Sequence, residues 1–351
     1  MNLTRKKTKI IKIGDVLIGA NHPVAIQSMV KCKTSDSLRA IKEINHLEQC
    51  GCEIVRLAVK DSADAFAFKQ IKRKTNIPLV ADIHFDWNLA LEAIENGADK
   101  IRLNPGNIYK KSQVAEVVAA LKIAKIPLRI GLNSGSVKNL SGRKMSMADK
   151  LVNSALDYIR TIEKMGFYDI VVSLKASTVA DTVEAYRRMS KNCDYPLHLG
   201  VTATGLPGEG AIKSAIAIGA LLLEGIGDTI RISLTARPEE EIRVARAVLR
   251  ALDLRRFGPE VISCPTCGRC EVDLIGLVKK IEQKIAQAKE NKPLKVAVMG
   301  CVVNGPGEAK EADIGVAFGK IDGLLFKKGK VVRKVPFNQC AAALLEEIKK
   351  S

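Results

Sequence analysis

A chain of 351 residues with 47% hydrophobic but only 4% aromatic content is too long for one small core and too poor in rings for a surface that stacks on nucleic-acid bases. Its 56 Lys and Arg against 38 Asp and Glu give a formal net charge of +18, which admits nucleic acid, a membrane surface, anionic small molecules or acidic proteins as partners. Apart from Arg5-Lys6-Lys7 with Lys9 and Lys12 there is no basic tail, so neither nucleic acid nor a membrane is expected. Nine cysteines, no secretory apolar region near the start and no apolar run of about 18 residues point to a reducing cytoplasm. Cys32, Cys50, Cys52, Cys193 and Cys340 read as buried bystander thiols.

In chain order, Lys9-Ile10-Ile11-Lys12-Ile13 and Val16-Leu17-Ile18 flank Gly14-Asp15, which predicts a two-residue hairpin at about 9–19 that plugs one end of the following fold. A rhythm of short β-branched runs and amphipathic helices then begins. The predicted strands run over 24–29, 53–58, 78–83, 100–104, 127–132, 169–174, 196–201 and 229–234. Helices are predicted at about 36–50, 61–75, 87–97, 111–125, 146–165, 179–192, 210–225 and 238–252, with Asp36, Asp61, Asp86 and Asp181 as N-terminal caps. Eight successive units with near-continuous apolar strands describe a closed (β/α)8 TIM barrel, class α/β, over 1–257. A doubly wound sheet ranks lower because no Gly-x-Gly-x-x-Gly follows the first strand.

Barrel enzymes place their chemistry at the C-terminal strand ends, and polar residues gather at those positions: Gln27 and Ser28, Arg56, Asp82 and His84, Arg102 and Asn104, Arg129 and Asn133, Ser173 and Lys175, His198 and Thr202, Arg231 and Ser233. A strand-end arginine is costly to desolvate without a partner. The recurrence of Arg56, Arg102, Arg129, Lys175 and Arg231 therefore predicts a mouth that binds a dense anion such as a diphosphate, although one or two of them are expected to pair with Asp82 or with helix-end carboxylates. His84 and His198 carry less weight, because a lone strand-end histidine is more often a hydrogen-bonding core residue than a base or ligand.

After Arg255-Arg256-Phe257-Gly258-Pro259 the rhythm stops, and 258–351 reads as a small α+β domain. It has a helix near 272–290, a strand at 295–299, strands near 313–318, 323–327 and 330–335 joined in part by the solvated turn Lys327-Lys328-Gly329-Lys330, and a final helix from about 338. Its cysteines come in two halves, Cys264-Pro265-Thr266-Cys267-Gly268-Arg269-Cys270 and Gly300-Cys301-Val302-Val303-Asn304-Gly305-Pro306-Gly307-Glu308. A Cys-x-x-Cys turn lets two thiolates converge on one centre, and a third cysteine from a separate strand end extends the shell. Three ligand sets compete: Cys264, Cys267, Cys270 and Cys301 on a 4Fe-4S cluster, the same four on zinc, or Cys264, Cys267 and Cys301 with Glu308 brought back by the Gly305-Pro306-Gly307 turn. In the third set the oxygen ligand holds iron less firmly than thiolate does.

Gly51-Cys-Glu-Ile-Val-Arg56, Val80-Ala-Asp-Ile-His-Phe85, Arg102-Leu-Asn-Pro-Gly-Asn107, Ser173-Leu-Lys-Ala-Ser177, His198-Leu-Gly-Val-Thr202, Cys264-Pro-Thr-Cys-Gly-Arg269 and the stretch from Gly300 to Glu308 together resemble the 4-hydroxy-3-methylbut-2-enyl diphosphate synthase family. The similarity runs from about Pro23 to about Gly319, and the Gly300 to Glu308 stretch is its most specific part. The resemblance implies a (β/α)8 barrel followed by a 4Fe-4S domain, in a homodimer where the cluster domain of one subunit closes the other's barrel. It implies reductive ring opening and dehydration of 2-C-methyl-D-erythritol 2,4-cyclodiphosphate in isoprenoid precursor biosynthesis, with electrons from reduced flavodoxin or ferredoxin. By matching position it makes Cys264, Cys267, Cys301 and Glu308 the cluster ligands. Arg56, Arg102, Arg129, Lys175 and Arg231 would hold the diphosphate, Asn304 would lie near the substrate hydroxyl, and Glu308 would be the ligand that exchanges. Asp82, His84, Asn104, Asn133, Ser173, His198 and Ser233 complete the candidate substrate-binding set. Cys270 and Cys32 depart from the family pattern. An S-adenosylmethionine-dependent iron-sulfur barrel would carry Cys-x-x-x-Cys-x-x-Cys within the barrel, which this chain lacks.

Overall fold

The computed structural model describes residues 4–137, 145–202, 204–288, 292–301, 305–310 and 312–351. The chain divides into two compact units, Met1–Arg255 and Arg256–Ser351.

The first unit opens with strands β1 (Ile11–Ile13) and β2 (Val16–Ile18), an antiparallel pair. Gly14 takes φ +54 at their turn, a left-handed conformation that glycine adopts without steric cost. The apolar side of this hairpin, Ile11, Ile13 and Ile18, packs on Ala25, Ile54, Val80 and Val171 at the N-terminal ends of barrel strands. The hairpin thus closes the bottom of the barrel and leaves the opposite end for chemistry.

The barrel follows as β3 (Ala25–Met29), α1 (Ser37–Gln49), β4 (Ile54–Val59), α2 (Ser62–Lys72), β5 (Leu79–Ile83), α3 (Asn88–Glu95), β6 (Lys100–Leu103) and α4 (Lys111–Ala124). It continues with β7 (Leu128–Asn133), α5 (Met147–Lys164), β8 (Ile170–Lys175), α6 (Val179–Asn192), β9 (His198–Leu199), α7 (Pro207–Leu223), β10 (Thr229–Ile230) and α8 (Pro238–Ala251). The strands are parallel in the order β8-β7-β6-β5-β4-β3-β10-β9, and a bridge between Val172 and Leu197 joins the two ends of that order. Closure, helices outside every strand and the bottom plug together make the predicted (β/α)8 barrel.

Two strands are shorter than expected. β9 and β10 hold two residues each where six were predicted, because the backbone beyond them bonds to other groups. Leu234 N donates to Glu241 Oε1 at 3.1 Å, Thr235 N to Gly205 O at 2.9 Å and Thr202 N to Ala176 O at 3.2 Å. Two caps also differ. Thr178, not Asp181, caps α6, its Oγ1 accepting from Asp181 N at 3.1 Å. Asp86 lies two residues before the start of α3, one before its N-cap Trp87, and accepts from Asn88 N at 2.9 Å, whereas Asp36 and Asp61 cap α1 and α2.

The second unit comprises β11 (Glu260–Ser263), α9 (Leu274–Ala288), β12 (Lys295–Met299), α10 (Gly305–Lys310), β13 (Ile314–Phe318), β14 (Asp322–Lys327), β15 (Lys330–Pro336) and α11 (Cys340–Lys350). Its sheet runs β11-β12-β13-β14-β15, parallel through β13 and antiparallel after it. Strand alternation divides the core: Val296, Val298, Ile314 and Val316 pack on one side with Leu277, Ile281, Leu344 and Ile348 of α9 and α11, while Ala297, Met299 and Ala317 pack on the other with Ala309 of α10. Lys328 and Gly329 both take positive φ, +46 and +77, at the expected hairpin turn. Two elements were not anticipated, β11 and α10. The Gly305-Pro306-Gly307 stretch, read as a turn, opens a short helix, where a first-turn proline costs no hydrogen bond. Among the described residues no helix is long and apolar enough to cross a membrane.

Candidate active site

The C-terminal ends of the barrel strands enclose a cavity of about 240 Å³ lined by Met29, Arg56, Asp82, His84, Arg102, Arg129, Gly131, Asn133, Ser173, Lys175, Thr202, Arg231 and Ser233. All five strand-end cations singled out above line it. Parallel registry explains why: Arg102 aligns with Asp82 on one side and Arg129 on the other, and Gly131 with Ser173, so inward-facing positions of adjacent strands meet.

Charge is unbalanced here. Asp82, 2% exposed, is the one carboxylate among the described residues on the cavity wall. Its Oδ1 accepts from Arg102 Nη1 at 3.0 Å, and its Oδ2 lies 3.2 Å from His84 Nε2 and 3.6 Å from Arg56 Nε. Burial works to raise the Asp82 carboxyl, but Arg56 and Arg102 outweigh it and hold the group well below the usual carboxylate range. Arg102 also donates to Gly131 O at 2.8 Å, and Arg56 Nη2 to Met29 Sδ at 2.8 Å. Arg231 reaches only 3.8 Å from Glu241 Oε2, a carboxylate that also takes Lys31 Nζ at 3.1 Å. Arg129 Nε and Nη1, Arg102 Nε and Arg231 Nε are buried without a hydrogen-bond partner.

The same imbalance depresses the cations. Burial, followed by repulsion from neighbouring guanidiniums, pushes Lys175 and Arg129 well down and lowers Arg231 to about 10. Several guanidiniums and an ammonium lining a cavity of this size, with little carboxylate to balance them, suit a ligand with several anionic oxygens.

The remaining predicted residues sort by depth and direction. Asn133, Ser173 and Ser233 line the cavity with Asp82 and His84. Asn104 does not: it is 4% exposed and its Oδ1 accepts from Gly106 N at 3.1 Å, which shapes the turn after β6. His198 also stands off the wall, wholly buried, with Nδ1 2.7 Å from Thr229 Oγ1. Burial, then repulsion from Arg129 and Lys175, holds its imidazole well below the usual histidine value. Ser28 points outward to Glu241 at 3.4 Å. Met29 and Gly131 were missed. Gly131 was recoverable, since it falls between Arg129 and Asn133 at the two-residue period of an inward face. A Cβ on Gly131 would stand 2.5 Å from Arg102 Nε.

In the second unit, β11 and β12 are adjacent and parallel with Ser263 opposite Val298, so both halves of the cysteine motif leave the same sheet edge. Cys264 follows β11 directly, and Gly300 N donates to its Sγ at 3.4 Å. Cys264 and Cys301 are half-buried and Cys267 is exposed. The Cys270 thiol turns back to Val272 O at 3.3 Å. Among the described residues no three His, Cys, Asp or Glu side chains stand close enough to hold an ion. The donor set nonetheless fits an iron-sulfur group in kind: three thiols from two adjacent strand ends, one already accepting from a backbone N–H as cluster thiolates do. Glu308 falls on α10, its side chain outside the described atoms, and Asn304 lies outside the described residues. Of the five thiols expected to be buried bystanders, Cys52 and Cys340 are buried and Cys32, Cys50 and Cys193 only half-buried, with burial raising Cys32 to about 11 and Cys52 and Cys340 to about 12.

Among solved structures, the chain is similar to dihydropteroate synthase from Stenotrophomonas maltophilia (TM-score 0.54, 12% identity, 70% of this chain and 98% of that one). It is also similar to N-acetylneuraminic acid synthetase from Leptospira borgpetersenii (TM-score 0.52, 13% identity, 72% and 91%). At these identities the likeness concerns the barrel fold alone. Curated proteins are far more similar. The 4-hydroxy-3-methylbut-2-en-1-yl diphosphate synthase (flavodoxin) of Fusobacterium nucleatum is 53% identical over 98% of this chain and 96% of that protein. Those of Caldanaerobacter subterraneus and Clostridium perfringens are 53% and 50% identical over 99% of this chain, covering 98% and 99% of their own lengths. The description "GcpE TIM-barrel domain" matches residues 8–246, and "GcpE protein C-terminal domain" matches 260–350. The chain belongs to the GcpE family.

Proposed function

We infer that this chain is an oxidoreductase of isoprenoid precursor biosynthesis that makes 4-hydroxy-3-methylbut-2-enyl diphosphate from 2-C-methyl-D-erythritol 2,4-cyclodiphosphate. Two electrons and two protons enter, a ring carbon–oxygen bond breaks with its electron pair passing to the diphosphate, and water leaves. The observation that carries this reading is the barrel mouth, where Arg56, Arg102, Arg129, Lys175 and Arg231 surround one cavity with Asp82 as the single wall carboxylate among the described residues.

In this reading the four arginines and Lys175 bind the diphosphate and stabilise the charge that builds on it as the carbon–oxygen bond breaks. Asp82 aims Arg56 and Arg102, while Asn133, Ser173 and Ser233 offer hydrogen bonds to the polyol part of the ligand. By the family resemblance, Cys264, Cys267 and Cys301 would hold a 4Fe-4S group with Glu308 as fourth ligand, and Asn304 would serve the substrate hydroxyl. When bound, that group supplies one-electron transfer and an iron whose oxygen ligand can exchange. Reduced flavodoxin, named with the relatives, is the donor, and an acidic ferredoxin would suit the basic surface equally. Two chains pair so that each cluster domain, from residue 258 onward, serves the partner's barrel; the family resemblance supports this arrangement.

The test is anaerobic reconstitution with iron and sulfide, followed by incubation with reduced flavodoxin and the cyclic diphosphate. The open-chain allylic diphosphate should appear by mass spectrometry, and the visible absorbance should shift when substrate is added without reductant. A fully loaded protein that consumes no substrate would overturn the assignment.

A further inference from the structure

Lys100, the first residue of β6, is 0% exposed, and its Nζ has no hydrogen-bond partner. It does not line the mouth but lies in the barrel interior, in the same electrostatic neighbourhood as the anion site. The charged side chains whose field reaches it are Arg129 of β7 and Arg56 of β4, both cations. His198 of β9 feels Lys100 in turn, and its Nε2 is likewise unpartnered.

The two buried carboxylates near the mouth are already committed. Asp82 serves Arg102, Arg56 and His84, and Glu241 serves Lys31 and Arg231. Among the described residues Lys100 Nζ has no hydrogen-bond acceptor and no ion pair. A lysine can escape that cost by releasing a proton, which an arginine cannot do. Anionic oxygens placed against Arg56 and Arg129 reverse the local field and remove the reason for the release.

We propose that Lys100 is uncharged in the ligand-free protein and takes up a proton when a polyanion enters the mouth, so that ligand binding is coupled to protonation inside the barrel. Burial, then repulsion from Arg129 and Arg56, acts in the same direction by holding Lys100 well below the ordinary lysine value. Lys175, on the cavity wall and likewise held well down by burial and by Arg231 and Arg56, and His198, lowered by burial and by Arg129, are the competing acceptors, and uptake at either would persist in the Lys100 variants. Lys100 is thereby a positioning residue: it adjusts the charge beneath the ligand without touching it. The proposal rests on the reading of the mouth as a diphosphate site.

The test is calorimetry of the full chain with 2-C-methyl-D-erythritol 2,4-cyclodiphosphate, without reductant, at about pH 8 in buffers of different ionisation enthalpy. The ring phosphates are diesters and already ionised, so any proton exchanged comes from the protein. The expected result is net uptake approaching one proton in the unmodified chain, near zero in Lys100→Met and Lys100→Gln, and retained in His198→Asn. No uptake in the unmodified chain, or uptake retained in the Lys100 variants, overturns the proposal. Should both Lys100 variants fail to fold, nitrogen-15 spectra of the lysine side chains decide: a neutral lysine that becomes charged on adding ligand supports it, and lysines charged throughout overturn it. Trimetaphosphate, also fully ionised, separates the two readings. Its binding with Lys100-dependent uptake while the cyclic diphosphate fails to bind sinks the substrate assignment and leaves the coupling. If neither anion binds, both fall.

Discussion

Arg102 Nη1 donates to Asp82 Oδ1 at 3.0 Å, and both side chains are almost wholly buried. The pair joins β5 to β6, and through Asp82 Oδ2 it extends to Arg56 on β4. Removing one partner of such a pair leaves an uncompensated charge, which typically costs about 3–5 kcal/mol. Asp82→Asn should lower stability by that order in urea unfolding at neutral pH. The folded carboxyl is depressed, so its contribution is complete above the unfolded value of about 3.9 and is lost as pH falls through the folded value. The advantage of the unmodified chain should therefore shrink only below about pH 4. An advantage that fades between pH 8 and pH 5 would mean that another group is responsible.

Gly131 lets Arg102 lie across the barrel wall. A methyl group there would stand 2.5 Å from Arg102 Nε and force the guanidinium off both Asp82 and Gly131 O. Gly131→Ala should cost about 1–3 kcal/mol of stability and weaken cyclic diphosphate binding about tenfold or more, as one aligned charge-assisted contact is lost. Equal affinities in the two proteins by calorimetry would show that Arg102 does not contact the ligand.

At the other end of the barrel, Ile13 of the hairpin plug is 0% exposed and packs among Ala25, Ile54 and Val80. Ile13→Ala should destabilise by about 2–5 kcal/mol through lost burial and a residual cavity. Because the plug closes the end opposite the mouth, KM for the substrate should stay within about twofold, the range of surface-like perturbations. A large KM change would reveal coupling between the two ends.

In the second unit, Cys264→Ser, Cys267→Ser and Cys301→Ser should each abolish stoichiometric iron loading, measured by iron-to-protein ratio and visible absorbance. Cys270→Ser should load normally, since that thiol is directed at Val272 O. Removing iron with a chelator should leave the far-ultraviolet dichroism almost unchanged. The core built on Leu277, Ile281, Val298, Val316, Leu344 and Ile348 needs no metal to close, unlike the domains that unfold without zinc. Loss of helical signal on chelation would overturn this.

Much of this protein is local enough to be read from its residues. The alternation of β-branched runs with amphipathic helices determined a closed barrel, because parallel strands buried on both faces require helices around them. Arginine and lysine recurring at strand ends marked the mouth, and cysteine spacing marked the second unit. What the tertiary structure decided is depth and partnership. Lys100 reads as an ordinary strand residue and His198 as a mouth residue, yet both lie off the cavity wall, because position along a barrel axis depends on the stagger between strands rather than on the pattern within one. Ser28 turns out to Glu241 and Asn104 into its own loop. The choice of Arg102 and Arg56 as partners of Asp82, and the resulting excess of unpaired positive charge, follows from contacts between residues 20 or more positions apart, which no local pattern encodes.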